Sequence, residues 1–428
     1  MEENIDTKVW DCVVVGAGIA GLTAATFLAR SGKEVLLLEK GRMLGGRAMT
    51  TVKDRVYINL GPHAFYKKGK SIKILSELGI TLQGGTAAKS GMVVYKNQTM
   101  VLPTDLLKLL TSRLFNWKGK LVLLRFFINL KRLVMCVNGD ITLSQWLDQH
   151  VKDEHAKRFL LMLVRLSSYH NDPDFISARA SFKQLLLGKA IYVHYGWQSI
   201  INALKEQALI AGVTIKTKSS VQKIEGNHPR FVVSLKGDQT MLTKTILSTA
   251  NPKETAYMFH EHEESQQLDF LHQLIPIRAA CMDVVLTQLP KPNNSFVLGM
   301  DEPLYFSNHS VVAKLSRNDE TSVVHVLKYL SSSDKQDNEQ LKHELEMFMS
   351  RIQPGWEDFV AMKRFLPSMT VSHFSKNVKE IPKTFVPHIP GLFLAGDWVG
   401  TEGLLADRSL ISAKTAASAI ISFSENEH

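Results

Sequence analysis

Val9 to Arg47 reads VWDCVVVGAGIAGLTAATFLARSGKEVLLLEKGRMLGGR. The apolar run Cys12 to Val15 is short and rich in β-branched residues, which predicts a buried parallel strand. It leads into Gly16-Ala17-Gly18-Ile19-Ala20-Gly21, a G-x-G-x-x-G pattern. In such a pattern the first glycine allows a tight turn, the second lets a pyrophosphate approach the backbone, and the third lets helix pack on strand. The spacing predicts a helix over Ile19 to Arg30 whose first N–H groups, around Ile19 and Ala20, point at phosphates. A second strand, Val35 to Leu38, ends at Glu39, 18 residues beyond Gly21, where an acid can hold ribose hydroxyls. G-x-G-x-x-G alone is weak evidence. With strand, helix, second strand and acid in register it predicts an adenine dinucleotide site.

Gly45-Gly46-Arg47 follows at once. A glycine pair permits another close backbone approach, and the arginine sets a fixed cation near the pyrophosphate. The combined pattern resembles the FAD-binding segment of the flavin amine oxidase superfamily, which includes monoamine oxidases, protoporphyrinogen oxidases and phytoene desaturase-like enzymes. The resemblance implies FAD as cofactor, with Lys40 beside Glu39 as a further contact.

At 428 residues the chain is long enough for two or three domains with sizeable cores. Cys12, Cys136 and Cys281 lie far apart and form no C-x-x-C pair. A disulfide framework or zinc site is therefore not expected, and a reducing cytoplasm fits. The polar start MEENIDTK predicts no signal peptide, and no apolar run approaches a bilayer span. A net charge of +10 suits anionic substrates or a membrane surface. Basic residues do not cluster with aromatics as nucleic-acid binding requires, so that class is not expected.

Beyond Arg47 a strand is predicted at Arg55 to Leu60, turning at Gly61-Pro62-His63. This stretch resembles the superfamily segment that delivers a glycine turn beside the flavin. His63 invites a catalytic reading, but a histidine placed by the turn and packed near the cofactor outweighs it. A helix Lys70 to Leu78 and strands Met92 to Tyr95 and Thr99 to Leu102 follow. Residues 103 to 190 read as mostly helical.

Pro103 to Leu133 carries seven Lys or Arg residues against one acid, Asp105, with leucines and phenylalanines at helical spacing. It predicts two basic amphipathic helices broken near Gly119. Two readings stand: a membrane-contacting lid or the mouth of a channel for a greasy substrate, or, favoured, a cap with its apolar face inside and its cations in water. Asp140 or Thr142 would cap a further helix to Gln149, and another fits 153–168.

Helix 198–210, strand Val213 to Lys216 and strand Val221 to Ile224 return the chain to the first sheet; by resemblance the Val221 backbone contacts adenine. Strands near Phe231 to Leu235 and Lys244 to Ser248 resemble the antiparallel insertion of this fold. From Ile277 to about Phe365 alternating strands predict a second sheet under the substrate cavity, interrupted by a helix Gln336 to Met349. Without a second G-x-G-x-x-G, no separate NAD(P)H domain is expected.

The end supplies the second signal: Pro390-Gly391-Leu392-Phe393-Leu394-Ala395-Gly396-Asp397, then Trp398 to Gly403, then a helix to about Ile421. A strand ending in Gly-Asp resembles the superfamily's C-terminal flavin motif. The Asp397 carboxylate would accept from ribityl hydroxyls while Gly396 lets the backbone approach. The helix N-terminus, at Leu405 and Ala406, would face the edge of the flavin where charge develops on reduction. Asp397 as a mere helix cap is the alternative.

Two departures from the family matter. Residues 362–394 contain no cysteine, so the FAD should be non-covalent. Amine oxidases place an aromatic where Leu405 stands, so GDWVGTEGLLADRSLISA looks closer to the desaturase-like members. The expected fold is α/β: a Rossmann-type FAD-binding domain (1–90, 191–275 and 385–428) and a substrate domain of mixed sheet and helices (91–190 and 276–384). The expected function is a desaturase- or dehydrogenase-like FAD-dependent oxidoreductase whose flavin N5 accepts a hydride from an apolar small-molecule substrate, with oxygen or quinone as candidate acceptors. Amine or porphyrinogen oxidation is the alternative, and a non-redox isomerase or scaffold is the third reading. No catalytic acid or base stands out.

Overall fold

The structure, a computed structural model, describes residues 4–87, 90–316, 321–335 and 337–425. Two seven-stranded sheets organise it. The chain opens with β1 (Asn4–Val15), α1 (Ile19–Arg30) and β2 (Val35–Leu38), with α1 and β2 at their predicted bounds. A hairpin of β3 (Thr50–Lys53) and β4 (Val56–Asn59) replaces the single strand expected at Arg55 to Leu60. Asp54 and Arg55, both at positive φ, make its turn, which alternation in the strands alone does not reveal. Short β5 (Phe65–Tyr66), α2 (Lys70–Glu77) and β6 (Gly84–Thr86) lead to β7 (Met92–Tyr95) and β8 (Gln98–Val101).

Five helices follow: α3 (Leu106–Thr111), α4 (Trp117–Cys136), α5 (Leu143–His150), α6 (Glu154–Ser168) and α7 (Ala178–Leu185). The break between the two basic helices falls at 112–116, not near Gly119. Asn116 caps α4, its side chain accepting from the Gly119 N–H at 2.8 Å. Gly119 lies inside α4 because Asp153 presses on it: a Cβ there would stand 2.9 Å from Asp153 Oδ1. Thr142, with Gln145, forms a capping box for α5.

After β9 (Ala190–Val193), α8 (Gln198–Ile210) runs over its expected span. Then come β10 (Thr214–Lys216), β11 (Val221–Asn227), β12 (Arg230–Leu235), β13 (Gln239–Ser248), α9 (Pro252–Met258) and α10 (Asp269–His272). The second half adds β14 (Ile275–Leu286), β15 (Phe296–Gly299), β16 (Leu304–Asn308), β17 (Ser322–Leu330), α11 (Asn338–Ile352) and β18 (Val360–Phe374). The helix expected from Gln336 thus starts two residues later, with Asp337 as its cap; Gln336 lies outside the described residues. The chain closes with β19 (Leu392–Leu394) and α12 (Leu405–Glu425).

The first sheet runs β10-β2-β1-β13-β12-β11, with β19 also on β13. β1 pairs in parallel with β2 and β13, and β13 with β19, so both ends of the chain meet in one sheet. Val13, Val14 and all of β2 are buried, as strands covered on both faces must be. α1 packs on α8 and α12 through small residues such as Ala24 and Ala25. The second sheet runs β18-β14-β17-β16-β15-β7-β8. Helices α4 to α7 cover one face of it, sharing a core with Cys281, Leu327 and Tyr329. This mixed α/β architecture, Rossmann-type with its first sheet drawn from distant segments, is the expected one.

Candidate active site

A cavity of about 1980 Å³ runs between the two sheets. Pockets for one small molecule commonly measure roughly 300–1,000 Å³, so this one has room for a cofactor and a substrate together. Gly16, Gly18, Ile19 and Ala20 open its wall, followed by Glu39, Lys40, Gly45, Gly46 and Arg47. Pro62, His63, Val221, Gly396, Asp397, Leu405 and Ala406 also line it. Gly21 and Gly61 are set back from the wall and shape it from behind. A Cβ on Gly21 would lie 1.9 Å from the Gly16 carbonyl oxygen, and one on Gly61 2.8 Å from the Met369 thioether.

The glycines make a cradle. Gly45 N–H donates to the Ala17 carbonyl at 2.9 Å, and Gly18 pairs with Gly45 in an isolated parallel bridge. A Cβ on Gly18 would meet no protein atom closer than 3.9 Å. The space in front of Gly18 is therefore kept open, and no side chain caps α1 there. Backbone donors at an uncapped helix N-terminus beside open space fit a pyrophosphate. Glu39 stands at the tip of β2, its carboxylate accepting from Ala17 N–H at 2.9 Å and Gly41 N–H at 2.7 Å. Lys40 pairs with Glu254.

Arg47 and Asp397, from opposite ends of the chain, form a two-pronged ion pair. Nη1 donates to Oδ2 at 2.6 Å and Nη2 to Oδ1 at 2.9 Å. Asp397 is buried among β19 and its neighbours, whereas Arg47 is half exposed toward the cavity. The sequence reading expects both residues beside a cofactor; it does not show that they hold each other. α12 begins at Leu405, where the sequence reading places its start, eight residues beyond Asp397.

The lining drawn from β9, β16, β17 and the helices is mostly uncharged, although Lys189 also lines the cavity. Tyr192, Tyr305, Tyr329 and His309 wall it, with Leu163 and Leu166 from α6 and Leu130 from α4. Burial pushes the phenols of Tyr192, Tyr305 and Tyr329 above their ordinary value of 10.0. Burial likewise lowers His63 and takes His309 well below 6.5. Each of these groups is therefore uncharged at neutral pH. His63 sits 3.0 Å from the Gly61 carbonyl through Nδ1 and leans on Trp197 at 5.0 Å. The placing role is what this geometry supports. The tyrosine wall escaped sequence reading, since its members come from β9, β16 and β17 with no shared spacing.

Behind the Gly61 turn, Cys281, Asp283 and His325 bring possible ligand atoms within 4.8 Å of one another, the one such group found among the described residues. Arg364 already occupies this carboxylate, Nε donating to Asp283 Oδ2 at 3.0 Å, and burial holds the Cys281 thiol well above its ordinary value. A guanidinium on one ligand and a protonated thiol as another oppose a cation there.

Residues 14–78 match the profile of an NAD(P)-binding Rossmann-like domain. The chain is 22% identical to coproporphyrinogen III oxidase of Bacillus subtilis over 305 residues, 61% of this chain and 64% of that protein. Protoporphyrinogen oxidase 2 of Arabidopsis thaliana is 25% identical over 248 residues, 56% and 47% of the two chains. The match thus spans less than two thirds of either relative. Cyclohexylamine oxidase from Brevibacterium oxydans superposes with a TM-score of 0.73 at 14% identity, covering 98% of this chain and all of that one. The chain is therefore similar to porphyrinogen oxidases over part of its length and shares its fold with cyclohexylamine oxidase.

Proposed function

We propose that the protein is an FAD-dependent oxidoreductase acting on a bulky, mostly apolar substrate. The observation that carries this reading is the polarity of the large cavity between the sheets. Arg47, Asp397, Glu39 and the glycine cradle crowd one end, while neutral tyrosines, histidines and aliphatic side chains wall the other. Non-covalently bound FAD would lie along the charged end, held by Gly18, Gly45 and Gly46, by Glu39, and by Arg47 with Asp397. When bound it supplies a hydride acceptor at N5. The chain's own residues orient the substrate, keep water out and, Lys189 apart, offer no charge to compete with C–H cleavage. Residues 1–90, 191–275 and 385–428 would form the FAD-binding domain, and 91–190 and 276–384 the substrate domain.

A porphyrinogen is the second reading, favoured by the two porphyrinogen oxidase relatives. A small amine fits less well, because Leu405 stands where amine oxidases place an aromatic. The experiment is anaerobic mixing of the FAD-loaded protein with polyenes, amines and porphyrinogens. Loss of the yellow colour with a polyene supports the first reading, and loss with a porphyrinogen alone supports the second. A flavin that never bleaches points to a scaffold, and a protein that refuses FAD overturns the proposal.

The Arg47–Asp397 pair gives a sharper check. Asp397→Ala should lower stability by only about 1 kcal/mol, since the half-exposed Arg47 keeps water as a partner. FAD retention should fall at least about tenfold, as one charge-assisted contact is worth about 1.5–3 kcal/mol. Equilibrium dialysis of the purified variant measures it. Unchanged retention would remove Asp397 from the site.

A further inference from the structure

We infer that α3 and the outer face of α4 dock on an anionic lipid surface. Sequence periodicity suggests one apolar face for α4, and the structure shows two. Leu123, Phe126 and Leu130 are buried against the second sheet and α7. On the opposite side Trp117, Leu121, Ile128 and Met135 face outward, with Trp117 76%, Ile128 71% and Met135 70% exposed. At about 100° per residue these four fall within about 40° of one another. They form a straight apolar stripe along the whole helix.

Cations flank the stripe. Lys120 and Lys131 lie to one side of it and Arg125 and Arg132 to the other, by the same helical arithmetic. Next to it α3 exposes Leu106 and Leu107, the latter 73%. An outward apolar stripe between two rows of Lys and Arg matches a helix lying in the headgroup layer of an anionic membrane. Among the described residues no helix is long and apolar enough to cross one. Self-association fits worse, since a symmetric contact would set two cationic surfaces against each other.

The position has a use. Leu102, Pro103 and Thr104 just before α3, and Phe127 and Leu130 on α4, line the cavity. Phe127 is also partly exposed, so the mostly uncharged end of the cavity opens beside the stripe. A substrate dissolved in lipid would reach the cavity without crossing water. This shares the apolar substrate with the proposed reaction, but lipid binding and flavin bleaching succeed or fail separately.

The test is co-sedimentation of the full chain with vesicles of equal parts phosphatidylcholine and phosphatidylglycerol, and with phosphatidylcholine alone. Wild type should pellet with the mixed vesicles, weakly with the neutral ones, and less as salt rises. Leu107→Glu with Ile128→Glu should cut binding at least about tenfold, since both positions lose their buried apolar contact and gain repulsion. Lys131→Gln with Arg132→Gln keeps the stripe and should remove most of the preference for phosphatidylglycerol. Circular dichroism and colour confirm that each variant is folded. Equal pelleting of wild type and the glutamate variant overturns the inference. So does light scattering that shows a wild-type dimer which the glutamates dissolve, because the stripe is then a protein interface.

Discussion

Gly21→Ala should both destabilise the protein by about 3 kcal/mol and leave it colourless. The added methyl would stand 1.9 Å from the Gly16 carbonyl oxygen and 3.0 Å from the Thr249 hydroxyl. Overpacking a tight contact costs about 1–3 kcal/mol when side chains can yield. Here the nearest atom is backbone, fixed by β1 and its hydrogen bonds, so the upper end applies. Alanine's better helix propensity returns only about 1 kcal/mol. To relieve the clash α1 must back away from β1, which carries Gly16 to Gly18 out of register with Gly45 and spoils the cradle.

Gly18→Ala separates the two effects. Its Cβ meets nothing nearer than the Gly45 carbonyl at 3.9 Å, and its backbone is in an extended conformation open to any residue. Urea unfolding should therefore change by no more than about 0.5 kcal/mol, the usual range for a substitution without a clash. The methyl fills the space before the helix N-terminus, so FAD should be lost as thoroughly as in Gly21→Ala. A yellow Gly18→Ala protein would mean that the pyrophosphate lies elsewhere and that G-x-G-x-x-G here is only a tight turn.

These glycines were legible in the sequence because each answers a demand of the backbone that no other residue meets. The same holds for the helix bounds at Ile19 and Gln198, set by glycines and by an unbroken apolar period. Side-chain partnerships were not legible. Arg47 and Asp397 each sit in a readable motif, yet their pairing spans 350 residues and follows from β13 lying between β1 and β19. The two faces of α4 show another boundary. Periodicity finds apolar residues on a helix but cannot say which are covered, since that depends on packing partners from distant segments. Gly119 misled for a related reason: its smallness answers Asp153, not a break.

Asp283→Asn should lower stability by about 3 kcal/mol at neutral pH, although nothing in the sequence marks the position. Asp283 lies in the middle of β14, buried, and one carboxylate serves three neighbours. His325 Nδ1 lies 2.6 Å from Oδ1, the Cys281 thiol donates to the same oxygen at 3.2 Å, and Arg364 holds Oδ2. Removing one partner of a buried ion pair costs about 3–5 kcal/mol; the lower end applies because Arg364 is a quarter exposed and water can reach it. Arg364 also donates to the Asn59 carbonyl and Thr51 hydroxyl, tying the β3–β4 hairpin to the second sheet. Asn59 Oδ1 in turn accepts from Trp197 N–H at 2.9 Å, beside the turn that presents His63. The substitution should therefore loosen the cavity wall as well as the sheet. Burial alone would raise the Asp283 carboxyl, but the His325 and Arg364 contacts outweigh it and hold it below 3.8. A carboxyl so depressed contributes stability that is complete above its unfolded value and vanishes as pH falls through the lower folded one. The gap between wild type and variant in urea unfolding should thus be full at pH 7 and shrink below about pH 4. A gap under about 1 kcal/mol, the scale of exposed pairs, or one that does not change with acid, would show that Asp283 is not the ionised centre of this cluster.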